Sequence, residues 1–386
     1  MIPLYLLEPA TPGAPWAPFT GVRPIAELRA GLWRIRERWS RSLGLEAVGI
    51  LGSHAAHFRE FDEPTTVDPS TIAGPAIVAA SWFAPTAHAI PLASETRRLV
   101  HDDATVAWIV PGGERFDQAN TRGRSVSIDG VHLAGAYSLL DALEQLLLED
   151  CAAFRGRGFP PAGALVLGDS ADVISLGADV EPGVVFDTRP GPVVLDQGVE
   201  VRHGTRLEGP LFAGSRTRIL GGYIRASVFG PDCRVRGEIA SSVFLGYANK
   251  AHDGFIGHSV VGQWVNLGAG TTTSNLKNTY GLVRLTAAGA QIDTGRLNVG
   301  TLFGDHAKTA IGTMLGTGTI VSAGASVFGG PPPKYVLPFA WGVGGESMTE
   351  DGFLRVAERV MARRKVELTD ARRDSLRRTY HRLRIA

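Results

Sequence analysis

The sequence predicts a multidomain α+β chain whose middle is a left-handed parallel β-helix, preceded by an N-terminal α/β domain and followed by a helical C-terminal tail. Three observations carry this. Aliphatic residues recur every six positions between Leu195 and about Gly330, at Leu195, Val201 and Leu207 and again at Val261 and Leu267. Small residues or glycine follow many of them, as in Val261-Gly262, Leu267-Gly268 and Ile311-Gly312. Strand-like and helix-like patterns mix before this stretch, and an arginine-rich helical pattern follows it. A period of six is too short for helical or propeller repeats. It suits a coil of three short parallel strands, one hexad on each flat face, with the aliphatic side chain pointing into a narrow prism and small residues at the corners.

The elements are expected in the following order. Residues 1–165 form the first domain, 166–345 the β-helix and 346–386 the tail. Ile2 to Leu7 reads as a buried strand, and the proline-rich EPATPGAPWAP as a loop. From Pro24 to Ser40, Ile25, Leu28, Leu32, Ile35 and Trp39 alternate at steps of three and four, which predicts one amphipathic helix with Pro24 in its first turn. Leu45–Leu51, Ala76–Phe83 and Ala104–Val110 are short apolar strands, and Ser138–Phe154 a second helix. FRGRGFPPAGALVLG marks a boundary, and GGPPPKYVLPFAWGVGG ends the hexads. Beyond Thr349 a helix or helix pair follows, with Phe353, Val356, Val360 and Met361 inside one piece and Leu368, Leu376, Tyr380 and Leu383 inside the next.

Composition removes several function classes. A net charge of +1 over 386 residues provides no field for nucleic acid or membrane. The arginine-dense tail lacks the aromatic platform of a nucleic-acid binder and is expected to be a solvated helix packed on the β-helix. The 2 cysteines, Cys151 and Cys233, stand too far apart for a CxxC metal site or a disulfide framework. MIPLYLLEPA has no basic start, and no run approaches the roughly 18 apolar residues of a membrane span. The expectation is a cytoplasmic protein acting on a small molecule.

Chemistry concentrates in NKAHDGFIGHSVVGQWVNLGAGTTTSN. Lys250-Ala251-His252 is followed fourteen residues after the histidine by Asn266, then by Gly268-Ala269-Gly270-Thr271 and by Ser274-Asn275-Leu276. This run closely resembles the acetyltransferase half of the GlmU family, the bacterial bifunctional enzymes that make UDP-N-acetylglucosamine. The wider pattern, through FGDHAKTAIGTMLGTGT, resembles a GlmU-like group with an altered N-terminal domain. The resemblance implies acetyl-CoA as co-substrate and N-acetyl transfer to an amino sugar phosphate or sugar nucleotide. His252 would be the base. Ala269, Gly270, Thr271 and Thr313 would hold acetyl-CoA, with backbone N–H groups of the corner facing the thioester. Asn249, Asn266 and Asn275 would contact the amino sugar or acetyl group, and Lys250 with Arg216 or Arg234 the sugar phosphate. It also implies a homotrimer whose sites lie between neighbouring β-helices. Apart from the resemblance, the arginines of the tail are an alternative set of partners for the coenzyme A phosphates of a neighbouring chain. Phe255 and Leu276 stand where the family has tyrosines, and Ala240 near a phosphate-binding lysine.

The order strand, loop, PFTGVRPIAELRAG resembles the N-terminal domain of sugar nucleotidyltransferases. That implies Arg23 and Arg29 as partners of nucleotide phosphates; the competing reading makes them a solvated helix face. The glycine-rich run is absent, and AIVAASWFAP carries no acidic metal ligand. Mg2+ and UTP therefore enter only if this domain is active, and no resident metal site is expected. His306, beside Asp305 and Lys308, is the second candidate base; His258 reads as structural, and Asp253 as a partner that orients His252. Two other function classes stand beside the enzyme reading. One is a non-catalytic sugar-nucleotide-binding scaffold. The other is a gamma-type carbonic anhydrase-like zinc site, for which His252 and His258 are spaced six apart rather than five.

Overall fold

A computed structural model describes residues 2–385. The N-terminal domain is built on a seven-stranded sheet in the order Arg124–Ser127, Thr96–His101, Ala104–Val110, Ala76–Ala80, Leu4–Leu7, Ala47–Leu51, Thr65–Val67. The strand Leu4–Leu7 runs parallel to both of its neighbours. Ala76–Ala80, with the sequence AIVAA, is buried throughout, as a central strand covered on both faces must be. The four apolar strands were legible; the three at or near the edges, TTV, TRRLVH and RSVS, carry too many polar residues to announce themselves.

The helix expected over Pro24–Ser40 is corrected. A short 3-10 turn covers Ile25–Glu27, Arg29–Ala30 pairs antiparallel with Trp33–Arg34, and the helix α1 begins only at Ile35 and ends at Leu43. Gly31 has φ +58°, and a Cβ there would collide with Arg38 and Asp150, so the backbone turns where a helix would continue. All five periodic residues are nevertheless buried. The period recorded burial and not one continuous helix. The second helix, α2, spans Leu139–Ala152. Its Asp150 forms an ion pair with the fully buried Arg38 of α1 and accepts the N–H of Leu32.

The central region is the left-handed β-helix. One face is a nine-stranded parallel sheet running from Val173–Ser175 to Tyr335–Val336. The inward positions, among them Leu195, Val201, Leu207, Val261 and Leu267, are at most 1% exposed. One corner of successive coils needs a left-handed residue, supplied by Gly198, Arg216, Asp232, Tyr247, Trp264, His306 and Gly324, all with φ between 55° and 70°. The three-hexad coil is kept from Val193 to Leu211 and from Leu302 to Ile320, other coils are shorter or longer by a few residues, and the largest departure is an insertion carrying the hairpin Arg284–Ala287 with Ala290–Asp293. Its Arg296 is paired with Asp141 and Glu144 of α2.

On the nine-stranded face the outward row is apolar as well. Ile174, Val194, Phe212, Val228, Val243, Val260, Leu302 and Ile320 stack in register and join the core formed with Leu139, Leu143, Leu146 and Leu147 of α2. Each such side chain contributes about 1.5–3 kcal/mol when covered. Removing residues 1–153 is therefore expected to leave a β-helix that associates through this strip. Size-exclusion chromatography checks it: a monodisperse monomeric fragment would show that the strip tolerates water.

The tail is two helices, α3 over Glu350–Ala362 and α4 over Asp370–Ile385. Phe353, Leu354 and Tyr380 pack with Phe339 and Met348, while Met361 joins Tyr247 and Trp264. The expectation of a solvated, arginine-rich helix holds only for its outer face. Arg372 donates to the carbonyl of Glu60 at 2.7 Å, and Arg382 to those of Gly21 and Ala56 at 2.8 and 2.9 Å, so the tail straps the two larger parts together. Among the described residues no helix is long and apolar enough to cross a membrane.

Candidate functional site

His252 sits exposed on a β-helix corner. Asp253 does not orient it: its Oδ1 accepts Arg236 Nε at 3.0 Å. The next coil brings the corner Gly268–Thr271 directly over this one, with Gly270 N–H donating to the carbonyl of Asp253 at 2.9 Å. The N–H groups of Gly268 and Thr271 are likewise taken, by the carbonyls of Thr309 and Gly268. That of Ala269 has no partner among the described residues, so an exposed imidazole and one free backbone donor lie on stacked corners. The Thr271 hydroxyl is internal, 2.7 Å from that of Thr309, and the Thr313 hydroxyl donates to the carbonyl of Ala310 at 2.8 Å.

The face leading to this corner carries an outward row in register, Arg218, Arg234, Asn249, Asn266 and Lys308. Asn249 Nδ2 donates to Asn266 Oδ1 at 2.9 Å. Arg234 donates to the carbonyls of Arg216, Asp232 and Cys233, and its nearest carboxylate, that of Asp232, is 3.9 Å away. Burial pushes the Arg234 guanidinium down, and the nearby Arg364 and Arg218 add to the effect. Arg364, just past the end of α3, lies 3.5 Å from Asn249 Oδ1, and its Nε is buried without a partner. Arg218 is matched by Glu200 at 3.0 Å, so Arg234 and Arg364 are the pair short of counter-charge, suited to an anion. Arg364 escaped the sequence reading because nothing in the tail specifies its docking point. Arg216 is already matched, at 2.7 Å from Asp232.

Three expected placements are corrected. Lys250 does not face solvent beside a phosphate. It occupies the inward ladder position between Val235 and Leu267, 0% exposed, and its ammonium donates to the carbonyls of His252 and Asp253. Burial holds it down at about 8, against the pull of Asp253. An unfolded lysine titrates near 10.4, so between these values the unfolded chain binds more protons. The burial cost is fully present below about pH 8 and is relieved as pH rises to about 10.4. Wild-type stability should therefore rise relative to Lys250→Met between pH 7.5 and 10, as urea titrations at both values can measure; parallel curves would contradict it.

Neither Arg23 nor Arg29 lies on a solvated helix face, and Arg23 is not free for a nucleotide phosphate. Arg23 is 1% exposed and bridges Glu60 at 2.9 Å and Asp305 at 2.7 Å, joining the N-terminal domain to the β-helix. Trp264 Nε1 donates to the same Glu60 at 2.7 Å. Arg29 is buried at the junction of the two parts. His306, the second candidate base, is 4% exposed and stacked 6.2 Å from Trp264; burial pushes its imidazole well down. His258 lies apart from His252, its Nδ1 2.7 Å from Asn275 Nδ2, so Asn275 serves that corner. Among the described residues no three His, Cys, Asp or Glu side chains converge to hold an ion.

A second cleft, of about 960 Å³, opens at the carboxyl ends of Leu4–Leu7, Ala47–Leu51 and Thr65–Val67, where open parallel sheets take ligands. Glu8, His57, Arg59, Asp68 and Asp117 line it. The sequence reading missed this cleft, although the strand order would have located it. Its carboxylates are not prepared for Mg2+: Glu8 accepts the N–H groups of Ile25 and Ala26 at 2.7 and 3.0 Å, Asp68 that of Ser70 and Asp117 that of Ala119, both at 2.9 Å.

Residues 14–157 match the family model described as sugar nucleotidyl transferase. A bifunctional sugar-1-phosphate nucleotidylyltransferase/acetyltransferase of Sulfurisphaera tokodaii is 31% identical over 93 residues, which is 24% of this chain and 23% of that protein. The matched stretch spans less than a quarter of the relative's length. Together with the β-helix, these similarities point to a transferase whose N-terminal domain is of the sugar-nucleotidyltransferase type.

Proposed function

We propose that the β-helix transfers an acetyl group from acetyl-CoA to the amine of an amino sugar phosphate or sugar nucleotide. The observation that carries this reading is the pairing, on stacked corners, of the exposed His252 imidazole with the free Ala269 N–H. His252 takes the proton from the attacking amine as its nitrogen bonds to the thioester carbonyl carbon. Ala269 N–H donates to the oxygen as it gains negative charge. The C–S bond then breaks and coenzyme A leaves as its thiol, with the proton. Arg234 and Arg364 hold the phosphate, while Asn249 and Asn266 face the sugar. Exposed Ile311 and Met314, beside the corner, offer an apolar track for the pantetheine arm. A homotrimer, with a neighbouring prism closing the corner, completes the reading.

Incubation with acetyl-CoA and a panel of amino sugar phosphates, followed by release of free thiol, tests it. No release with any member would leave the binding scaffold as the better account. A second reading, nucleotidyl transfer, is supported by the match of residues 14–157 to sugar nucleotidyl transferases and not by a metal site, since the carboxylates of the strand-end cleft are held by backbone N–H groups. Release of pyrophosphate from UTP and a sugar 1-phosphate in the presence of Mg2+ measures it separately.

A further inference from the structure

A third cleft, of about 530 Å³, lies between the N-terminal domain and the β-helix and shares no lining side chain with the cleft at the strand ends. Its surroundings are unusual in two ways. First, two polar groups that line it are more than nine-tenths buried and unsatisfied. Arg29 and Gln263 are each 9% exposed, and Arg29 Nε and Gln263 Oε1 have no hydrogen-bond partner. Arg29 donates only to the carbonyl of Leu32, and among the described residues no carboxylate lies within ion-pair distance of it. The neighbouring Arg34 is different: Glu27, Glu37 and Asp62 surround it. Glu37, nearby in the cleft, attracts Arg29 but does not touch it, and a buried guanidinium with no carboxylate in contact, beside an acceptor without a donor, is costly unless something fills both roles. Secondly, the walls are aromatic. Trp33 stacks with Phe154 at 6.4 Å on one side, and Phe61 with Tyr247 at 4.9 Å on the other.

We propose that this cleft binds a nucleoside monophosphate moiety. Arg29 receives the phosphate, Gln263 Oε1 accepts an N–H of the base, and the base lies against an aromatic wall, which is sequence-tolerant and favourable for any nucleobase. Because Arg29 belongs to the N-terminal domain and Gln263 to the β-helix, the ligand bridges the two and holds their junction together. The site is distinct from the His252 corner and stands independently of the acyl-transfer reading.

Calorimetric titration of the full chain with UMP and AMP, against uridine and inorganic phosphate, tests the proposal. At least one nucleotide should bind ten-fold or more tightly than either fragment. Arg29→Gln and Gln263→Leu should each weaken it at least ten-fold, whereas Arg284→Gln, on the exposed hairpin, should leave it unchanged. Should Arg29→Gln fail to fold, Gln263→Leu and quenching of Trp33 fluorescence, lost in Trp33→Phe, carry the test. Nucleotide binding that survives both substitutions, or phosphate binding as tightly as UMP, overturns it.

Discussion

Replacing His252 with alanine is expected to lower acetyl transfer by about 100- to 10,000-fold, the range over which a positioned general base acts. The side chain is exposed and makes no hydrogen bond among the described residues, so its removal leaves core and ladder untouched, and the circular dichroism melt should match wild type. The loss should fall on turnover and not on the affinity for acetyl-CoA, because a base acts on the moving proton. Full turnover in the variant would remove the imidazole from the chemistry. His306 cannot replace it without repacking, since Trp264 and Phe353 cover its ring.

Replacing Arg23 with methionine is expected to destabilise the protein by about 3–5 kcal/mol, because it strands two buried carboxylates. Both partners are at most 10% exposed, so water cannot readily take over. Burial already pushes Glu60 up to about 7 against the pull of Arg23, and losing that cation pushes it further. Adding Glu60→Gln to Arg23→Met should recover part of the loss, since one stranded charge is then gone. Urea titrations of the three proteins measure this; a single-variant effect below about 1 kcal/mol would falsify the claim that this cluster fastens the junction.

How far the sequence reveals all this depends on what each pattern records. The inward hexads were legible because a prism interior admits little but aliphatic residues, and Val261 and Leu267 lie where the period put them. Burial periodicity was less informative before α1, where a turn, a hairpin and a helix bury the same five residues as one helix would. Lys250 was misread outward because its side chain breaks the aliphatic rule at an inward position, and because the coil from Val235 to Lys250 is shorter than three hexads, so counting in sixes does not reach it. The consecutive apolar runs VVL, LFA and VF on one face carried a further signal, that this face is covered on its outside too. The strand-end cleft and the cationic pair of Arg234 and Arg364 needed three dimensions, because their residues come from segments with no shared motif.

The outward apolar row beneath α2 has one more consequence. A three-sided rod normally has three equivalent walls on which copies of itself can lean, but here one wall is already roofed by the same polypeptide. Self-association can therefore draw only on the other two, and any ring of copies must point its N-terminal lobes away from its own axis.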